Sequence, residues 1–109
     1  MIATLMLGLT SPQLQAGIEQ QRQLFHDASF ALERNQLTKF NRLLKQLEDY
    51  PAKPYLEYDA FKRKVTRAKP WQVEQFLQQY ADLPFAYHAR GKWLNVLARR
   101  GDWKNYLKF

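Results

Sequence analysis

Six side chains close together in the chain carry the strongest chemical signal: Lys62, Arg63, Lys64, Arg67, Lys69 and Trp71. Cations interleaved with an aromatic ring can hold an anionic polymer, the cations pairing with its charges and the indole stacking on a flat ring. The same residues also fit a simpler description, the solvated face of an amphipathic helix with Trp71 covering a hairpin end. The net charge of +7 draws polyanions in general. Nucleic acid, anionic lipid and bacterial wall polymer all qualify.

Other chemistry has less support. His26 and His88 stand alone, without metal-ligand spacing, and are expected as surface or partly buried side chains. The chain has no cysteine, so it offers no thiolate nucleophile, disulfide or Cys-based zinc site. The four glycines are isolated and form no phosphate-binding loop, and there is no GxSxG motif. Acid–base work on a glycosidic bond needs a carboxyl with a tuned pKa beside a cleft. Glu48, Asp49, Glu57, Asp59 and Glu74 are the carboxylates available for it. Glu57 has Tyr50, Tyr55 and Tyr58 nearby in the chain, a setting that better suits a structural contact between helices than a catalytic carboxyl. No catalytic, cofactor-binding or metal-binding residue is assigned, and no cofactor is expected.

The elements that position these residues are helices. Three Trp, six Tyr and seven Phe in 109 residues exclude disorder. Gly and Pro fall between periodic stretches rather than within them. A first helix over about 17–34 presents Ile18, Leu24, Phe25, Ala28 and Leu32, with Asn35 as its C-cap. A second, about 36–48, carries Leu37, Phe40, Leu43, Leu44 and Leu47 at strongly amphipathic spacing. The short connection makes an antiparallel hairpin. Pro54 sits in the first turn of a third helix reaching about residue 68, which carries Tyr55, Leu56, Tyr58, Phe61 and Val65. Pro70 opens a fourth, with Val73, Phe76, Leu77 and Tyr80 inward, and Pro84 a fifth, with Trp93, Leu94 and Leu97 inward. Gly101 ends the fifth helix and Asp102 caps a sixth. The class predicted is all-α, with consecutive antiparallel helix hairpins forming part of an α-superhelix, or α-solenoid.

Residues 1–16 read as a secretory leader, with an apolar run from Ile2 to Leu9 and a cleavage region up to Ala16, the alternative being a frayed N-terminal helix. No Lys or Arg precedes the run, which suggests that its basic start lies upstream. The last helix is short and apolar where the chain stops. Solenoids normally end in a polar cap, so the natural chain is expected to continue, and this piece alone is expected to be marginally stable.

The order of these signals is familiar. Leu47 to Tyr58 (LEDYPAKPYLEY) resembles the DYPLxPYLEY signature of soluble lytic murein transglycosylases. Leu97 to Trp103 (LARRGDW) resembles the LARRxDW stretch of the same family, and Pro84-Phe85-Ala86 its turn into the next helix. The resemblance covers roughly residues 17–109. It implies the N-terminal superhelical U-shaped domain of a periplasmic enzyme. Such enzymes cleave the β-1,4 bond between N-acetylmuramic acid and N-acetylglucosamine, leaving a 1,6-anhydromuramic end. The family's catalytic acid/base is a Glu followed by Ser. Here each Glu precedes Gln20, Arg34, Asp49, Tyr58 or Gln75, so no catalytic residue carries over.

The function expected is therefore a scaffold segment, inactive alone, whose partners are peptidoglycan strands and the rest of the same protein. The alternatives are a helical adaptor that binds a protein through its apolar end, or a small basic nucleic-acid-binding protein. The leader-like start argues against the last, and no membrane span is expected in the mature chain.

Overall fold

Among the described residues Asn35 and Gly101, both with positive φ, follow helix ends, and Pro12, Pro54 and Pro70 lie in first turns. The computed structural model describes residues 12–47 and 49–109, with side chains from residue 17 onwards. Residues 1–11 of the expected leader, and Glu48, lie outside the described residues. Among those described there are six α-helices and no strand: α1 (Pro12–Glu33), α2 (Leu37–Gln46), α3 (Lys53–Lys64), α4 (Pro70–Gln79), α5 (Ala86–Arg100) and α6 (Trp103–Lys108). The expected all-α class holds. The chain divides into two compact units, 1–53 and 54–109.

In the first unit, α1 and α2 pack against each other as a hairpin. Pro12 stands at the start of α1, where its missing N–H costs nothing. Asn35 ends the helix in the left-handed region at φ 58°. Gln36 N–H donates to the Ala31 carbonyl at 2.8 Å and Asn35 N–H to that of Leu32 at 3.0 Å. This pair of bonds satisfies carbonyls that the end of a helix leaves open. Ala28, Ala31 and Leu32 from α1 are buried, as are Phe40 and Leu43 of α2 and the following Leu47. Phe25 meets Tyr50 with ring centroids 5.6 Å apart. Ile18 and Leu37, expected inward, are instead 42 % and 37 % exposed.

In the second unit, α3 tightens into a 3₁₀ turn, Val65–Arg67. Ala68 and Lys69 are extended, with ψ of 152° and 149°. Pro70 imposes this on Lys69, because its ring clashes with a helical residue before it. Gln72 then accepts the Lys69 N–H at 2.9 Å, closing the first turn of α4. The fifth helix begins at Ala86 rather than at Pro84, since Pro84 and Phe85 belong to the preceding turn.

Val65, Val73, Trp93, Val96 and Leu97 form a buried core, with Phe61, Leu77, Tyr106 and Phe109 packed on it. An aromatic cluster gathers around Phe85. Tyr58 stacks on it at 4.6 Å, while Tyr55 and Tyr80 meet it at 5.4 and 5.6 Å.

The α5–α6 corner repeats the left-handed stop. Gly101 has φ 70°, and Asp102 N–H donates to the Leu97 carbonyl at 2.9 Å. Asp102 caps α6 by accepting from the Asn105 backbone at 3.2 Å and side chain at 2.7 Å. The side-chain bond and then the backbone bond hold its carboxyl below the usual carboxylate range. A Cβ at Gly101 would meet no atom within 4 Å. Gly101→Ala should therefore cost only the backbone strain, about 1 kcal/mol, read as a lower urea midpoint at unchanged slope.

Candidate polyanion-binding surface

The basic residues cluster because two helix boundaries fall within ten positions. Lys62, Arg63 and Lys64 occupy the last turn of α3, where cations complement the negative end of the helix dipole. Arg67 ends the 3₁₀ turn, Lys69 is the N-cap of α4, and Trp71 lies in that helix's first turn. All five cations are exposed, and Trp71 is 57 % exposed.

Lys62 is the one already engaged. Its Nζ lies 3.0 Å from an Asp59 oxygen and 4.8 Å from the centre of the Tyr58 ring. Arg63, Lys64, Arg67 and Lys69 have no carboxylate partner among the described residues. No Asp or Glu occurs between Asp59 and Glu74.

A residue that sequence reasoning passed over holds this corner in place. Arg100, at the end of α5, donates through Nη2 to the Thr66 carbonyl at 2.8 Å and to that of Ala68 at 3.1 Å. Its guanidinium also lies 5.2 Å from the centre of the Trp93 ring. The end of α5 is thereby fastened to the 3₁₀ turn, and Arg99 adds a further exposed cation beside Arg100. Nothing local announces this contact, which spans more than thirty residues.

Charge is unevenly shared. Residues 54–109 hold eleven of the seventeen Lys and Arg but only five of the ten Asp and Glu, so six of the seven net positive charges sit in that unit.

Two of the acid–base candidates have cationic partners. Asp59 is taken by Lys62. Glu74 lies 3.8 Å from Lys108, linking α4 to α6. Asp49 is exposed and Glu57 half-buried. His26 and His88 are exposed, each edge-on to the ring of a neighbour, Phe25 and Tyr87. Among the described residues no group of three or more His, Asp or Glu could hold a metal, and no helix is long and apolar enough to cross a membrane. An open groove of about 330 Å³ runs along the outer face of α5 past Tyr87, His88, Arg90, Gly91 and Lys92. It contains no carboxylate.

No protein-family model matches the chain. The soluble lytic murein transglycosylase of Salmonella typhimurium is 32 % identical over 92 residues, 84 % of this chain and 14 % of that protein. The soluble lytic murein transglycosylase of Escherichia coli K12 is 28 % identical over 104 residues, 95 % of this chain and 16 % of that protein. The crystal structure of the 70 kDa soluble lytic transglycosylase from Escherichia coli superposes with a TM-score of 0.74 at 29 % identity. That match covers 83 % of this chain and 15 % of the larger one. The chain thus spans about one-seventh of the length of these relatives. Over most of its own length it is a homologue of the soluble lytic murein transglycosylases and shares the fold of a helical part of them.

Proposed function

We propose that the chain is a scaffold segment of a periplasmic lytic transglycosylase, contributing helix hairpins to the superhelical U-shaped domain. The observation that carries this is the likeness to the 70 kDa enzyme, 29 % identity with a TM-score of 0.74, along a sequence that bears the LEDYPAKPYLEY signature. The whole protein would cleave murein glycan strands to 1,6-anhydromuramic ends. This chain would contribute shape and surface, because none of its Glu residues precedes Ser. Its partners would be murein strands and the remainder of the same protein.

The test is a chimera. The matching segment of the Escherichia coli enzyme is replaced by residues 17–109, and release of anhydromuropeptides from purified sacculi is measured. Activity within about tenfold of the parent is expected, since a scaffold acts through shape rather than chemistry. The 109-residue chain alone should release none. A folded but inactive chimera, or turnover by the isolated chain, would overturn the reading.

One observation favours a second reading, an adaptor for a protein partner. Trp103 is 58 % and Leu107 85 % exposed on α6. Dimers or larger species in light scattering, lost in Leu107→Lys, would support it.

A further inference from the structure

The basic corner of the second unit has more positive charge than its fold requires. Cations in the last turn of α3 are explained by the helix dipole, which favours positive charge at a C-terminus. Lys69 is not. It caps the N-terminus of α4, the positive end of that helix, where a cation is disfavoured. No acidic residue occupies the first turn of α4 to offset it. Arg63, Lys64, Arg67 and Lys69 lack carboxylate partners among the described residues. Arg100 braces the backbone between them through the Thr66 and Ala68 carbonyls. Trp71 adds a 57 % exposed indole at the same corner. Cations on a braced backbone beside an exposed aromatic face suit a polymer that alternates negative charge with flat apolar faces.

We propose that Arg63, Lys64, Arg67, Lys69 and Trp71 form a docking surface for the carboxylate-bearing strands of murein, the cations pairing with carboxylates and Trp71 stacking on a sugar face. The choice of murein over other polyanions rests on the scaffold reading above; the surface itself rests on the geometry. Arg100 acts as a positioning residue. The contact is non-catalytic and holds substrate strands against the scaffold.

The test is sedimentation of the full 109-residue chain with purified sacculi at low ionic strength. Four proteins are compared: the parent, a corner variant R63Q/K64Q/R67Q/K69Q, a control R42Q/K45Q/K92Q/K104Q, and Trp71→Ala. The control removes the same four charges from other exposed positions. Helicity by circular dichroism confirms that each variant is folded. The corner variant should bind at least about tenfold more weakly, because four weak exposed pairs act together. The control should change by less than about threefold, the loss of long-range attraction alone. Trp71→Ala should lose roughly three- to fivefold, the worth of one stacked ring. Sacculi whose carboxylates have been converted to amides should lose the parent's binding.

Equal loss in corner and control variants would overturn the proposal, because net charge would then suffice. Full binding to amidated sacculi would do the same. So would displacement from sacculi by single-stranded DNA at lower concentration than by soluble murein fragments, which would make nucleic acid the ligand. The scaffold reading fails separately. An inactive chimera whose sacculus binding still depends on the corner would sink that reading and leave the docking surface standing.

Discussion

Trp93→Ala should unfold the second unit at room temperature. Trp93 is fully buried, at the centre of the core formed with Val65, Val73, Val96 and Leu97. The Phe109 ring meets it edge-on at 5.9 Å and the Arg100 guanidinium lies over it at 5.2 Å. Removing so large a buried side chain costs about 3–5 kcal/mol. Small units have little stability to lose, because they bury a smaller fraction of their surface. The loss should also release Arg100, and with it the tie to the Thr66 and Ala68 carbonyls.

Trp93→Phe is expected to be much milder, about 1–2 kcal/mol. The indole Nε1 of Trp93 is buried without a hydrogen-bond partner, and phenylalanine removes that unsatisfied donor along with some volume. Urea titration followed by circular dichroism checks both variants. Tryptophan fluorescence gives a second readout. Trp71 and Trp103 are 57 % and 58 % exposed, so the blue-shifted emission should belong to Trp93. A Trp93→Ala protein with the parent's urea midpoint would show that the core does not depend on this ring.

Phe85→Ala is the other large effect expected. Phe85 is 5 % exposed. Its ring lies parallel to that of Tyr58 at 4.6 Å, and edge-on to Tyr55 at 5.4 Å and Tyr80 at 5.6 Å. Alanine there leaves a cavity and removes several ring contacts, together about 3–4 kcal/mol. Phe85→Leu keeps most of the volume and should cost about 1–1.5 kcal/mol. Near-ultraviolet circular dichroism should lose its tyrosine signal in the alanine variant, since Tyr55, Tyr58 and Tyr80 would no longer be held against a fixed ring. Retention of both that signal and the urea midpoint would contradict the role of Phe85 as the hub of the cluster.

Neither Phe85 nor Arg100 was legible as a structural residue from its position in the chain. Phe85 sits in a turn after Pro84, and turns have no period from which to read an inward face. Arg100 ends a helix, where a cation already has a local explanation in the helix dipole. Its bonds to the carbonyls of residues 66 and 68 exist only once α5 has packed beside the 3₁₀ turn. Leu94 shows the same limit. The periodicity places it inward with Trp93 and Leu97, yet it is only half-buried, while Val96 is buried. Helical period specifies which residues share a face; the neighbour's position specifies how far that face extends.

The basic corner divides along the same line. Its members, from Lys62 to Trp71, stand out in the sequence as a dense run of cations followed by an indole. That Lys69 faces the positive end of a helix depends on where α4 begins, which Pro70 makes local. That the corner is braced from α5 is tertiary.

The sequence by itself determined the helices and several of their ends. Pro70, Asn35, Gly101 and Asp102 act through their own backbone angles, missing donors and short-range hydrogen bonds, and each stands where its chemistry requires. Periodicity likewise marked Phe40, Leu43, Leu47, Val73 and Leu97 as core. Only the tertiary structure decided that Ile18, Leu37 and Tyr55 remain partly exposed, that Phe85 is the centre of an aromatic cluster, and that Arg100 fastens one helix end to another. Burial and long-range hydrogen bonds depend on what lies across the gap between elements, and residues far apart in the chain carry no local mark of meeting there.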